Sequence, residues 1–135
     1  MKNSSRNGLQ HGPHFHIPYE AIDKYLPYFK QEGWNLEIYF GSRSFDKIKQ
    51  SDIVRLKQRL DYNPQVSIHG PFMDLSPGAV DLKVREVTAK RFLKTLDFAE
   101  ILNPEVVVFH SGYDRWKYDN RVDIWLEASL QTWKP

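Results

Sequence analysis

The sequence predicts an α/β fold, a (βα)4 half of a TIM barrel with parallel strands each followed by a helix, and three observations carry that prediction. Short runs rich in β-branched and aromatic residues alternate with longer stretches of helical periodicity, the pattern of βα units on a parallel sheet. The apolar run at 106–109 shows no alternation of polar and apolar residues, as expected for a parallel strand covered on both faces. The segment 14–135 is about half of the ~250 residues that a full (βα)8 barrel takes. No strand is followed by the Gly-rich or P-loop pattern that nucleotide-binding doubly wound sheets use.

Residues 1–13 are polar, with an isolated Leu9, and predict a flexible tail ahead of a domain at 14–135. The first strand is 14–18. Over 20–32, Ile22, Tyr25, Leu26 and Phe29 recur at helical spacing, and Gly33 suits the position after the last helical residue. Pro27 lies inside that stripe, where it removes one backbone hydrogen bond and bends the helix. Segment 34–40 reads as the second strand and 41–50 as a polar loop. Ser51 and Asp52 then cap a helix that turns Ile53, Leu56 and Leu60 inward and stops at Asn63-Pro64, after about Tyr62. A third strand, 65–69, leads through Gly-Pro-Phe to a long helix over 80–102. Its inward stripe is Ala89, Phe92, Leu96, Ala99 and Leu102 or Ile101, closed by Asn103-Pro104. The fourth strand is 106–110, and after the loop 111–119 a last helix over 120–133 turns Ile124, Trp125, Ala128 and Trp133 inward.

Composition narrows the chemistry. The 135 residues are 41% hydrophobic and 14% aromatic, enough apolar surface to bury a core. The absence of cysteine excludes disulfides, thiol nucleophiles, iron–sulfur clusters and Cys-ligated zinc, so any metal is held by nitrogen and oxygen. No apolar run approaches the ~20 residues needed to cross a bilayer, and 1–13 has no apolar signal core, so no membrane and a cytoplasmic location are expected. The net charge of +2 comes from Lys2 and Arg6, in a segment without acids; the remainder is neutral, which argues against a nucleic-acid partner held by a bulk basic field.

In α/β folds the working groups gather at the carboxyl ends of the strands. That rule selects Glu37 in strand two, His69 at the end of strand three, and His110 at the end of strand four. The side-chain period of two puts Ser67 and His69 on one face, and Val106, Val108 and His110 on one face. With strands about 4.8 Å apart, two imidazoles at equivalent ends of adjacent strands can share one metal ion. Equally, each can be a strand-end residue hydrogen-bonded to a backbone carbonyl. A catalytic zinc usually keeps three protein ligands, so Glu37 either supplies a ligand or orients a ligating histidine as an outer carboxylate. Of the closely spaced His11, His14 and His16, only His16 is a candidate for the pocket. Phe72, Tyr113 and Asp114 shape its rim. Arg85, near the start of the long helix, either meets a phosphate or is solvated.

The stretch Ser67-Ile68-His69-Gly70-Pro71-Phe72-Met73-Asp74-Leu75, a long helix with Arg85 and Arg91, then Val106-Val107-Val108-Phe109-His110-Ser111-Gly112, resembles the third and fourth βα units of the xylose isomerase-like TIM barrels. Gly33-Trp34-Asn35-Leu36-Glu37-Ile38 is similar to the second strand of that superfamily, which holds sugar-phosphate isomerases and epimerases and endonuclease IV-type AP endonucleases. The resemblance implies that His69 and His110 are ligands of a divalent metal (Zn, Mn or Mg) or line a substrate pocket, and that the substrate is a small sugar or sugar phosphate. The family's remaining ligands and its proton-relaying carboxylates lie on strands five to eight and have no counterpart here. The expectation is therefore the N-terminal half of an isomerase or epimerase, inactive alone and completed by a homodimeric partner or a complementary half-barrel. In a two-fold dimer, strand four would pair with strand one of the partner. An alternative is a metal-dependent phosphodiesterase on abasic DNA, with Arg43, Lys47 and Lys49 as backbone contacts; another is a non-catalytic half-barrel scaffold that dimerises.

Overall fold

A computed structural model describes residues 12–134; the tail expected at 1–13 lies, but for Gly12 and Pro13, outside them. The chain runs β1 (His14–Pro18), a 3-10 turn (Tyr19–Ala21), α1 (Ile22–Glu32), β2 (Asn35–Tyr39), α2 (Ser42–Phe45), α3 (Gln50–Arg59), β3 (Val66–His69), α4 (Leu82–Leu102), β4 (Val106–Val108) and α5 (Val122–Trp133). The four strands form one parallel sheet in the order β1-β2-β3-β4, the expected succession of βα units. Among the described residues no helix is long and apolar enough to cross a membrane.

Strand parity divides the sheet into two faces. Ile17, Leu36, Ile38, Phe40, Val66 and Ile68 face the helices and pack with Ile22, Leu26 and Phe29 of α1, Ile53 and Leu56 of α3, and Phe98 and Leu102 of α4. At the centre, Phe40, Phe45 and Phe98 meet with ring centroids 5.1–6.5 Å apart. Each such buried ring contributes about 1.5–3 kcal/mol over leaving it in water. The opposite face carries His14, His16, Glu37, Tyr39, Ser67 and His69, so the functional groups and the core occupy different sides of one sheet.

Several local expectations are corrected. Tyr25 is exposed, and the inward stripe of α1 is Ile22, Leu26 and Phe29. The segment after β2 is not wholly loop, since 42–45 close one helical turn and bury Phe45. Helix α3 starts earlier than expected: its cap is Lys49, two residues before Ser51, so Asp52 is its third residue, and the Asp52 carboxylate accepts the N–H of Lys49 at 2.8 Å. In α4 the buried face is Thr88, Phe92, Thr95, Phe98 and Leu102, while Leu96 is 42% exposed. The threonines can face inward because their hydroxyls donate to the carbonyls of Val84 and Arg91, which satisfies them locally. Strand β4 is not covered on both faces, since Val106 is 51% and Val108 37% exposed. In α5 the fully buried residues are Ala128 and Ser129, whereas Ile124 and Trp133 are partly exposed.

Candidate functional site

The local sequence after β3 explains how the site is held. The N–H of Gly70 donates to the carbonyl of Val108 at 2.9 Å, which extends the ladder one step beyond His69. Only glycine fits there, because a Cβ at position 70 would stand 2.6 Å from the Phe109 ring. The loop then turns through the buried Pro71 and Pro77 and is pinned from behind. The N–H of Ser76 donates to the Thr88 hydroxyl, the Tyr118 hydroxyl donates to the carbonyl of Gly78 and shares a hydrogen bond with the Ser76 hydroxyl, and Thr132 donates to the carbonyl of Pro77. Gly112 at φ 66° packs its backbone against Ser76. The loops after β3 and β4 therefore form one wall.

In front of that wall the imidazoles of His69 and His110 point their Nε2 atoms at each other, 3.0 Å apart. The ring of Phe72 stacks on His110 with centroids 4.2 Å apart at 14°, and meets His69 edge-on. On the adjacent strands His16 donates from Nδ1 to Glu37 Oε1 at 2.7 Å, and the His16 ring lies edge-on to His69 at 5.8 Å. Tyr39, at the end of β2, fills the centre: its ring is 5.3 Å from His69, 5.5 Å from His16 and 5.7 Å from Phe72. Its parity with Glu37 on β2 was the available signal. Below this layer His14 Nδ1 and the Ser67 hydroxyl are hydrogen-bonded at 2.8 Å.

Burial holds His69 below the ordinary imidazole pKa, opposed by Glu37 and reinforced by His110 and His16, so the ring favours its neutral, lone-pair-bearing form. Its Nδ1 is buried without a hydrogen-bond partner. Burial and then Glu20 raise the Tyr39 pKa, so its hydroxyl stays a proton donor at neutral pH. At 3.0 Å the two nitrogens are at hydrogen-bond distance, and two bonds of ~2.1 Å at a tetrahedral ion would need them a few tenths of an ångström further apart, so His69 and His110 are the residues that could offer two ligands to one ion after a small movement. Among the described residues no group of three or more His, Asp or Glu converges to complete such a shell.

Glu37, His16, His69, His110 and Phe72 thus come together in the described structure. Tyr113 and Asp114 do not join them: Tyr113 packs on Tyr118 and Trp125, and the Asp114 carboxylate accepts the N–H groups of Trp116 and Lys117, which lowers its pKa. Arg85 donates to the carbonyl of Ala128 and ties α4 to α5. Beside Tyr39, a cleft of about 730 Å³ opens toward the segment after β2.

No family model matches the chain. Over 80 residues, 59% of this chain and 27% of the relative, it is 31% identical to the uncharacterized protein MJ1311 of Methanocaldococcus jannaschii. Two solved structures resemble it over most of its length. The TTHB071 protein of Thermus thermophilus, described as soaked with ZnCl2, superposes with a TM-score of 0.70 at 25% identity over 88% of this chain and 49% of its own. A D-tagatose 3-epimerase-like protein superposes with a TM-score of 0.69 at 23% identity over 89% and 46%. The chain thus spans about a quarter of its curated relative and about half of each structural neighbour.

Proposed function

Because the chain has the fold of half a xylose isomerase-like TIM barrel, we propose that it forms one half of a metal-dependent isomerase or epimerase acting on a small sugar or sugar phosphate. The observation that carries this reading is the imidazole pair: two Nε2 atoms 3.0 Å apart at the carboxyl ends of β3 and β4, with a histidine–carboxylate pair alongside. His69 and His110 would hold the divalent ion. When bound, such an ion supplies Lewis-acid polarisation of substrate oxygens.

The chain's own residues do the rest of the work assigned to this half. Glu37 accepts the Nδ1 proton of His16 and so fixes its tautomer, leaving the Nε2 lone pair of a neutral His16 free. Phe72 fixes the plane of His110 and excludes water from one side of it. Tyr39 keeps its hydroxyl protonated and offers a donor at the centre of the face. Further carboxylates, needed to relay protons between sugar carbons, come in this reading from the βα units that complete the barrel. Val106 and Val108, half-exposed on β4, are the surface those units would cover.

Titration with ZnCl2 and MnCl2, followed by isothermal calorimetry and elemental analysis of the dialysed protein, tests the reading. A single bound equivalent that the His69→Ala/His110→Ala variant loses is the expected result. Undiminished stoichiometric metal in that variant, or none in the parent chain, refutes it.

A further inference from the structure

We propose that the cleft beside Tyr39 is a subsite for a phosphate monoester, with Arg43 and Lys47 as its cationic arms, so that the site takes a phosphorylated polyol in preference to a neutral one. The proposal deepens the sugar reading above and rests on it for the polyol portion of the ligand only; the phosphate arm stands on the charges described next.

Nearly every described arginine is engaged. Arg55, Arg59, Arg91 and Arg121 pair with Asp52, Asp23, Asp46 and Asp123, Arg85 donates to a carbonyl, and Arg115 lies over the Trp116 ring. Arg43 is the exception: among the described residues its guanidinium has no ion pair, hydrogen bond or ring partner, and the Lys47 ammonium one turn further on has none either. Both line the same cleft, at the carboxyl end of β2. Neither cation has a described counter-ion, and an anion bound in the cleft they share would be attracted to both. A phosphate monoester carries close to two negative charges at neutral pH, matching the two arms, whereas a carboxylate or a phosphodiester carries one.

The rest of the lining supplies acceptors. Glu20 receives the Ser44 hydroxyl, which holds its carboxylate in the cleft, and Asp74 sits at φ 64° with its carboxylate likewise without a described partner. Hydroxyl groups of a polyol can donate to both, while a continuous nucleic-acid backbone would bring further negative charge against them. Tyr39 lines the cleft and also packs on His16 and His69, so a ligand lying across its ring reaches from the cationic arms to the imidazoles. A volume of about 730 Å³ is in the range of small-molecule sites.

The experiment is calorimetric titration of the full chain at fixed ionic strength with D-ribose 5-phosphate, D-ribose and inorganic phosphate. Wild type is expected to bind the phosphorylated sugar at least tenfold more tightly than ribose. Arg43→Gln/Lys47→Gln should erase the difference, with the circular dichroism spectrum unchanged because both side chains are exposed. Should the double variant misfold, Arg43→Gln alone is expected to lose about threefold. His69→Ala should keep the phosphate preference, so failure of the metal reading and failure of this one are separate results. The proposal is overturned if wild type shows no preference, if the preference survives in the glutamine variants, or if inorganic phosphate does not compete. A duplex with a tetrahydrofuran abasic site that binds more tightly than ribose 5-phosphate, through Arg43 and Lys47, would overturn the small-molecule assignment in favour of nucleic acid.

Discussion

Replacing Gly70 by alanine adds one methyl group at the hinge between His69 and the loop that carries Phe72. The new Cβ would stand 2.6 and 2.7 Å from two carbons of the Phe109 ring, about 1 Å inside an ordinary carbon–carbon contact. That ring cannot swing aside freely. It is stacked on Phe92 with centroids 4.2 Å apart and lies 6.0 Å from Trp133, and the next residue in the chain is His110. Overpacking of this kind costs about 1–3 kcal/mol. With a urea m-value of about 2 kcal/mol/M, the unfolding midpoint should fall by roughly 0.5–1.5 M. Phe109→Leu shortens the obstructing side chain, so the Gly70→Ala/Phe109→Leu double variant should lose less than the sum of the single losses. The Gly70→Ala protein should also bind zinc more weakly than wild type, because the displaced ring is joined directly to one of the paired imidazoles. A Gly70→Ala protein within ~0.5 kcal/mol of wild type, or strict additivity in the double variant, would refute the argument that Phe109 closes the space above Gly70.

Tyr118→Phe removes a buried hydroxyl that bonds both Ser76 and Gly78, and should cost about 1–2 kcal/mol in urea or thermal unfolding; an unchanged midpoint would show that the two loops are held together without it. The depressed pKa of His69 predicts a pH dependence. Its imidazole is neutral in the folded chain at pH values where the unfolded chain already takes up the proton, so stability is retained above about pH 6.5 and declines as pH falls from there toward the folded value. Urea midpoints at pH 7.5 and 5.5 should differ more for wild type than for His69→Asn. The lowered carboxylates of Asp46, Asp61, Asp114 and Asp123 titrate at lower pH and leave this window clear.

The alternation of βα units was legible because strand and helix periods differ and because Gly33 and Asn103 mark helix ends; both adopt the left-handed conformation in the structure. That His16, Glu37 and His69 share one face follows from strand parity; His110 lies two residues beyond the end of β4, and the loop there brings it to His69. Parity says nothing about loops, and there the reading fell short. Asp114 looked like a rim acid, but its carboxylate serves its own turn. Arg43 and Lys47 lie beyond the last residue whose facing parity fixes; the sequence offers them, with Lys49, only as nucleic-acid backbone contacts, and the cleft that Arg43 and Lys47 line appears only in the structure. Helix α4 was misread by one position because two threonines that satisfy their own hydroxyls occupy its buried face, where apolarity alone selects Ala89 and Leu96.

The strand order has a consequence for how the site comes into being. Each strand pairs with the one before it in the sequence, so every new βα unit docks on the edge left by its predecessor. The loops that must close lengthen steadily, from His14–Asn35 to Leu36–Val66 to Ser67–Val106, and none requires a later strand to be inserted between two earlier ones. A chain synthesised from its N-terminus can therefore lay the sheet down in order as it emerges. His16 and Glu37 meet when the second strand docks, but His69 waits for His110 until the fourth is in place. Formation of the imidazole pair would thus report that the last described strand has docked, and a chain stalled before β4 would display the His16–Glu37 pair without it.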